Sequence, residues 1–229
     1  MCLMWALLPL VTTLLFTKVP IIPFGEEVGE VPYRKIFSNR MFLVFILIML
    51  CAGASELSMS QWASLFAETG LGVSKAVGDL LGPCMFALFM GIARLLFGKY
   101  GEKVDTFNVL SISSLICVIG YIVSVFSENP IISLFGCALV GFGSAVMWPG
   151  TLSLAAKHCS FAGIALFGLL AMSGDIGCCV GPTLVGQISS NISIFNSSLK
   201  AGLLGASIFP IVLMVCVNVL KRSIGKKDI

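Results

Sequence analysis

Three carboxylic acids lie inside long apolar stretches of this sequence, and they are the side chains best able to do chemistry there. Glu56 and Asp175 each stand in the middle of such a stretch, and Asp79 stands a few residues into another. A charged side chain in the middle of a lipid bilayer costs from roughly 3 to well over 10 kcal/mol, depending on the reference state. Protonation, a charged partner or a wet cavity removes that cost, so each acid is a candidate for proton binding.

Glu56 has the most polar surroundings of the three. Ser60 and Ser64 follow it at helical spacing, and Gln61 and Trp62 lie one step round the same helix. This pattern predicts a helix face that lines a polar cavity, where removal from water favours the neutral form of the acid and suits proton coupling. The alternative is a protonated or hydrogen-bonded packing residue.

Asp175 follows the first glycine of a smooth stripe. Gly174, Gly177 and Gly181 recur at positions that share one helix face, and such stripes allow two membrane helices to approach closely. Asp175 is therefore either a functional acid or a side chain that bonds across a tight helix interface.

Asp79 lies toward the outer face of its stretch, where it either caps a helix end or borders a solute pathway. Pro83 follows it and removes a backbone donor, so we expect a bend that could serve as a gate. The same holds for Pro149 and Pro182, although bends without any function are common in membrane helices.

Two tryptophans lie in the middle of apolar stretches and not near the membrane surface, where they are usually enriched. An indole stacks well on a flat solute face, and its N–H can bond a hydroxyl group. Trp62 and Trp148 are thus candidate substrate contacts, with Gln61 as an adjacent hydrogen-bonding partner of the first. Packing is the alternative for both.

The composition places these residues in a membrane protein. The 229-residue chain is 58% hydrophobic and 11% charged, whereas soluble domains average about 25% charged residues. A net charge of +3 without a basic stripe argues against a nucleic-acid partner. The nine cysteines form no Cys-x-x-Cys pair and there is one histidine, so we expect no metal, cofactor or disulfide framework. The absence of a nucleophile–base set predicts that the chain is not an enzyme.

Seven apolar stretches are long enough to be membrane helices, because a helix of about 20 residues crosses the hydrocarbon core. The predicted fold class is an all-α integral membrane protein. Residues 19–40 form a polar linker, residues 41–220 a six-helix unit, and residues 221–229 a tail. The predicted spans are 1–18, 41–66, 76–98, 107–126, 131–156, 161–188 and 199–220.

The basic residues orient the chain. Seven spans put the termini on opposite sides, and with the C-terminus in the cytoplasm all 14 Lys and Arg residues except Lys75 and Lys200 fall on the cytoplasmic side. The N-terminus is then outside, and the protein is expected in the plasma (cell inner) membrane.

The last six spans read as an internal duplication. The second member of each group of three carries a Gly-Asp and then a Gly-Pro, Gly78 to Pro83 in the first group and Gly174 to Pro182 in the second. The first member of each group carries a tryptophan. Because three is odd, the second group enters the membrane from the opposite side, which is the pattern of an inverted repeat.

With these features the chain resembles the C-terminal half of the major facilitator superfamily. The first span resembles the sixth of the usual twelve helices, and the linker resembles the cytoplasmic loop between halves. The segment 91–103, GIARLLFGKYGEK, resembles the second copy of the family's Gly/Arg loop motif. Glu56 before Gln61-Trp62, and the later Trp148-Pro149-Gly-Thr, resemble the fucose-permease-like sugar transporters.

The resemblance implies a charge network at one membrane face that stabilises one conformer, with Arg94 at its centre and Glu102 and Asp105 nearby. The alternative for Arg94 is an arginine that reaches to the lipid–water interface. The residues assigned to this conformational motif are Gly91, Arg94, Gly98, Glu102, Asp79 and Pro83.

The sequence thus predicts secondary active transport, by alternating access, of a small polar solute such as a sugar, in symport with protons. The expected partners are the lipid bilayer, the solute, and a missing N-terminal half or a second copy of the chain. The alternative is an inactive truncated remnant or a non-transporting membrane scaffold. Neither reading requires a cofactor.

Overall fold

The computed structural model describes residues 2–20, 36–159, 163–192 and 197–225, and within these ranges the fold is helical, with no β-strand. Most of the predicted linker, residues 21–35, and the last four residues of the predicted tail lie outside the described residues. The burial and side-chain contacts of residues 2–5, 70, 102 and 163–164 are likewise not described.

The chain forms two compact units, Met1–Val31 and Pro32–Ile229. The first contains one described helix, α1, at Cys2–Phe16, with Pro9 inside it. At 1.5 Å per residue this helix is about 22 Å long, which is short of a hydrocarbon core of about 30 Å. The first of the seven spans therefore remains a prediction.

The second unit contains six helical stretches that are long and apolar enough to cross a membrane. These stretches and the helical content of the described residues confirm the all-α membrane fold, although the first stretch ends at Ser60, six residues before its predicted end at residue 66. Two of the stretches, Pro130–His158 and Ser198–Gly225, are divided into two helices each, and a short helix follows the end of the first stretch at Ser60. In chain order the helices are α2 (Arg40–Ser60), α3 (Ala63–Leu65), α4 (Lys75–Tyr100), α5 (Thr106–Phe126), α6 (Pro130–Ser144), α7 (Met147–His158), α8 (Gly163–Asn191), α9 (Ser198–Ala206) and α10 (Ile208–Gly225).

The interruptions are the main departure from the continuous helices expected from the sequence. α2 ends before Gln61, and a π-helical turn at Phe66–Gly70 follows α3. A second interruption separates α6 from α7 at Ala145, and a third separates α9 from α10 at Ser207. The first two interruptions fall in the first members of the two predicted three-helix groups, each beside its tryptophan.

The helices pack in a reciprocal pattern. α2, in the first group, lies against α8, the second member of the second group; α6, in the second group, lies against α4, the second member of the first group. α5 packs on α6, and α10 packs on both α2 and α5. An inverted repeat predicts this exchange of partners between its two groups.

The α2–α8 contact depends on glycines. A Cβ atom added at Gly177 would meet the carbonyl oxygen of Leu50 and lie 3.0 Å from the backbone nitrogen of Ala54. One added at Gly53, on α2, would meet the carbonyl oxygen of Gly174. The prediction that the α8 glycine stripe permits close helix contact is therefore confirmed.

Polar contacts join helices at both ends of the six-span unit. At the end rich in Lys and Arg, which we call the basic end (Lys99, Lys103, Lys157, Lys221 and Arg222), Asp105 accepts hydrogen bonds from the backbone N–H of Phe107 at 3.0 Å and from Nζ of Lys221 at 2.7 Å. At the other end, Lys200 is buried in α9, and its Nζ donates to the carbonyl oxygen of Ser127 at 3.3 Å. That oxygen belongs to the C-cap of α5, where a positive charge is favourable.

Substitution of Gly177 by alanine should destabilise the α2–α8 contact. The added methyl group meets backbone that cannot move aside, so we expect the free energy of unfolding to fall by about 1–3 kcal/mol. Gly168 on the same helix has open space around it. Gly168→Ala should therefore raise stability by up to about 1 kcal/mol, through helix propensity alone. Thermal unfolding of the two purified variants in detergent measures both changes, and a loss of the same size in both would contradict the packing argument.

Asp105 offers a second test, because it both caps α5 and pairs with Lys221. Its hydrogen bond to Lys221 holds the pKa of the Asp105 carboxyl below its usual value, and the Phe107 N–H acts in the same direction. Asp105→Asn keeps a capping side chain but loses the ion pair, which at this exposed site contributes less than about 1 kcal/mol. Asp105→Ala should lose about 1 kcal/mol more, with the cap.

The ion-pair contribution has a defined pH dependence. Because the folded-state pKa is lowered, the contribution is fully present above the unfolded-state pKa of about 3.9 and is lost as the pH falls through the lower folded-state value. Unfolding curves of the unaltered chain and of Asp105→Asn should differ at pH 7 and converge in strong acid. A difference that persists unchanged in acid would rule out the ion pair as its cause.

Candidate functional site

The structure joins two residues that the sequence treats separately. Glu56 on α2 and Arg94 on α4 form an ion pair, with 3.8 Å between Oε1 and Nη2. This separation is too long for a hydrogen bond, so the pair is loose. The Glu56 side chain is 18% exposed, whereas that of Arg94 is 51% exposed, which leaves half of the arginine free for another partner.

Arg94 is held by a second contact that results from a proline. Its Nε donates to the carbonyl oxygen of Ala145 at 3.4 Å. In a continuous helix that oxygen would accept the backbone N–H four residues later, but the residue there is Pro149, which has none. Ala145 stands midway along the span Pro130–His158. The guanidinium therefore links α4 to the middle of another span.

The backbone next to Glu56 is fixed from two sides. The hydroxyl group of Tyr121, a fully buried residue of α5, donates to the carbonyl oxygen of Ser55 at 2.8 Å. The hydroxyl of Ser55 in turn donates to the carbonyl oxygen of Cys51 at 2.7 Å. Glu56 is thus carried by a rigid stretch of α2, yet its Oε2 is buried and has no hydrogen-bond partner among the described residues.

The second predicted acid lies near the same site. Asp175 is on α8, which packs closely on α2: a Cβ added at Gly53, three residues before Glu56, would meet the carbonyl oxygen of Gly174. The indole ring of Trp148 lies over Gly174, the residue before Asp175, and its buried Nε1 has no hydrogen-bond partner in the described part of the chain. Asp175 itself is exposed and bonds to no described residue. It does not lie in the tight helix contact that its glycine neighbours make.

The two tryptophans differ in what their N–H groups do. Nε1 of Trp62 donates to the carbonyl oxygen of Pro182 at 3.1 Å, and the ring lies beside Gly186, so this indole joins the interruption after α2 to α8. Its N–H is occupied, whereas that of Trp148 is free of described partners. Gln61, next to Trp62, is exposed.

The remaining predicted residues lie apart from the ion pair. Asp79 is exposed near the start of α4 and accepts a hydrogen bond from Ser64, with Pro83 half-buried one turn further on. Neither Gly91 nor Gly98 has any atom within 4 Å of an added Cβ, so close packing does not require a glycine there. Glu102 lies in a short helical turn, Gly101–Lys103, and its side chain is outside the described set.

Among the described side chains, the charges assigned to the implied network divide between two ion pairs, and Glu102, its third member, lies outside the described set. Asp105 pairs with Lys221 and Arg94 pairs with Glu56. The signal for the arginine site was present in the sequence, since Pro149 predicts an unpaired carbonyl at Ala145. The partner of that carbonyl could be found only from the packing of α4 on α6. In the described ranges no group of three or more His, Cys, Asp or Glu could hold a metal ion.

Comparison with known proteins gives one family. Residues 1–182 match the family model described as Major Facilitator Superfamily. An uncharacterized MFS-type transporter of Yersinia pestis is 26% identical over 153 residues, which is 67% of this chain and 38% of that protein. Membrane protein MosC of Rhizobium meliloti is 23% identical over 156 residues, or 68% of this chain and 38% of that protein. The chain thus spans 38% of the length of each of these relatives, and neither name specifies a substrate.

The Glu56–Arg94 contact predicts non-additive effects of substitution. Arg94→Gln leaves a largely buried carboxylate without its cation. The substitution should therefore cost more stability in the unaltered chain than in a chain that already carries Glu56→Gln. For residues in contact we expect a coupling free energy of about 0.5–3 kcal/mol from thermal unfolding in detergent.

A matched cycle uses Glu128, an exposed acid in the turn before α6, in place of Glu56. Combined with Arg94→Gln, Glu128→Gln should be additive within about 0.5 kcal/mol. If the Glu56 cycle were equally additive, the ion pair would make no contribution to the fold.

Proposed function

This chain belongs to the Major Facilitator Superfamily, and from that membership we propose that it takes part in secondary transport of a small polar solute across a membrane, driven by protons and working by alternating access. A neutral sugar is the proposed class of solute. Glu56 is the proposed proton-binding residue, Arg94 its conformational partner, and Trp148 the proposed solute contact.

The observation that carries the proposal is the half-satisfied carboxylate of Glu56. One of its oxygen atoms faces Arg94 and the other is buried with no described partner. A proton on that second oxygen would neutralise the group, and the neutral acid costs less to keep away from water than the carboxylate does. The site is therefore suited to holding a proton in one state and an arginine in the other.

Protonation gives a physical route to a change of shape. When Glu56 is neutral, the attraction that holds Arg94 to α2 is lost, and the guanidinium keeps only the Ala145 carbonyl, a 3.4 Å contact. α4 and the α6–α7 interruption are then free to move relative to α2. Such a two-state element, biased by the charge on one group, is what coupling between a proton and a conformational change requires.

A polar pathway is supported by Asp175 and Trp148. An exposed carboxylate in the middle of a span is costly against lipid, so we assign its face of α8 to water, solute or a further protein segment. The indole N–H of Trp148, on the turn that faces Gly174, is a free donor suited to a hydroxyl group. Both features favour a polar solute over an apolar one.

The proposal includes a further protein segment or a second subunit that packs against this chain. The chain spans 38% of the length of its curated relatives, and the rest of such a protein, or a second copy of this chain, would cover the Asp175 face. We also propose that the basic end faces the cytoplasm and that the membrane is the cell inner membrane, because Lys and Arg concentrate on that side of membrane proteins.

Proton coupling can be measured with liposomes that contain the full chain and enclose a pH-sensitive dye. A panel of neutral monosaccharides is added outside, and acidification inside reports symport. We expect at least one sugar to acidify the lumen, and we expect Glu56→Gln to reduce the initial rate to that of protein-free liposomes, because an amide cannot carry the proton.

Glu128→Gln is the control, since it removes an exposed carboxylate outside the site and should leave the rate unchanged. Acidification that Glu56→Gln does not alter would remove the role proposed for that residue. The failure of every sugar to acidify the lumen would favour a non-transporting scaffold over a transporter for the chain on its own.

A further inference from the structure

A cavity of about 580 Å³ lies at the basic end, between the C-terminal end of α4, the start of α5 and the last turns of α7. It is apart from the Glu56–Arg94 site, and its wall mixes polar and apolar groups. Among the residues around it are Phe97, Gly101, Val104, Asp105, Lys157 and His158.

A second space of about 310 Å³ runs along the neighbouring groove between α4 and α5. These two helices are consecutive in the chain but are kept apart by α6, which packs against both. Phe142 and Val146 form the floor of the groove, and Leu96, Ile112 and Ile116 are among its walls. Apart from Ser113 and Tyr100, the side chains that line it are apolar.

The two spaces adjoin, because Phe97, Gly101 and Val104 line both of them. From Asp105 in the first to Ile116 in the second is roughly 16 Å along α5, at 1.5 Å per residue. That length is close to half of a hydrocarbon core of roughly 30 Å, which is the depth of one lipid leaflet.

We propose that this combined site binds one anionic phospholipid, with its phosphate in the cavity beside Lys157 and one acyl chain in the groove between α4 and α5. The proposal is independent of the transported solute. It assigns to the basic end a lipid ligand that would hold α4 and α5 in their separated positions.

The charges at the cavity favour a phosphate group. Lys157 and His158 lie in the last turn of α7 and line the cavity, beside the start of α5, which Asp105 caps. Asp105, the one acid among the described side chains of the wall, accepts a hydrogen bond from Lys221, whose Nζ also donates to Asn108 at 2.6 Å, and it interacts electrostatically with Lys157. Two lysines therefore face one described carboxylate. The ring of His158 lies 5.8 Å from that of Phe107 and forms part of the wall.

The apolar groove favours a lipid over a soluble phosphate as the ligand of this site. Leu96, Ile112 and Val104 are exposed at its rim, so it opens sideways toward the surroundings of the helices. An inorganic phosphate ion would use the cavity and leave this apolar space empty. A phospholipid fills both spaces, because its headgroup and its chain match their polarity. Basic pockets between membrane helices are suited to anionic headgroups.

The test is the thermal stability of the full chain in detergent micelles with added phosphatidylglycerol, phosphatidylcholine, oleic acid or inorganic phosphate. At a tenfold excess over its dissociation constant, phosphatidylglycerol should raise the unfolding temperature by roughly 3–6 °C. The other three additives should give less than half of that rise, and native mass spectrometry should show phosphatidylglycerol retained in preference to phosphatidylcholine.

Two pairs of variants locate the site. Lys157→Gln should lose most of the rise, whereas Lys75→Gln, at the opposite end of α4, should keep it. Ile112→Trp, which fills the groove, should also lose the rise, whereas Leu115→Trp, exposed on the same helix outside the groove, should keep it. The unfolding curve of each variant without lipid shows whether it is folded.

Three results would overturn the proposal. They are an equal rise with phosphatidylcholine, an equal rise with inorganic phosphate alone, and a response of Ile112→Trp that matches that of Leu115→Trp. The first would show a general detergent or lipid effect, the second an anion site without a lipid chain, and the third binding somewhere other than the groove.

Discussion

The arrangement depends on one electrostatic constraint: a carboxylate and a guanidinium inside a membrane-spanning unit must satisfy each other, since lipid cannot. The charged groups of Glu56 and Arg94 are 3.8 Å apart, which is too far for a hydrogen bond, so each side chain can still take a further hydrogen-bonding partner. Glu56 has a buried oxygen without a described partner, and half of the Arg94 side chain is exposed. A tight bidentate pair would be a fixed structural link, whereas this loose pair leaves one carboxylate oxygen available to a proton.

The packing around the ion pair holds the backbone at Glu56 in place and leaves Arg94 next to a helix interruption. α2 is held against α8 by glycines that leave no space for a methyl group, and Tyr121 fixes the backbone beside Glu56. α4 carries Arg94 to a carbonyl that Pro149 leaves without a helical donor. The acid therefore belongs to a well-packed pair of helices, and the arginine reaches the interruption between α6 and α7, where a change of backbone angle is least costly.

Much of this could be predicted from residue types and spacing, because apolar length, basic ends and glycine stripes are local properties of a chain. They predict the six apolar stretches and the close contact made by Gly177, and they single out Glu56 as the leading candidate acid, whose role stays a prediction. The interruption after Ala145 is also implied locally by Pro149. What the sequence could not supply is which helices are neighbours. The contact of Arg94 with the Ala145 carbonyl and the hydrogen bond of Trp62 to Pro182 both follow from the exchange of partners between the two three-helix groups.

The central claim is that the charge on Glu56 controls the position of Arg94, and infrared difference spectroscopy of the full chain in lipid during a pH titration tests it most directly. The account predicts a carboxylic acid band on acidification that is missing in Glu56→Gln and retained in Glu128→Gln, together with a change in the guanidinium bands at the same midpoint that is missing in Arg94→Gln. A carboxylic acid band from Glu56 with no accompanying guanidinium change, or the same band in Glu56→Gln, would contradict it.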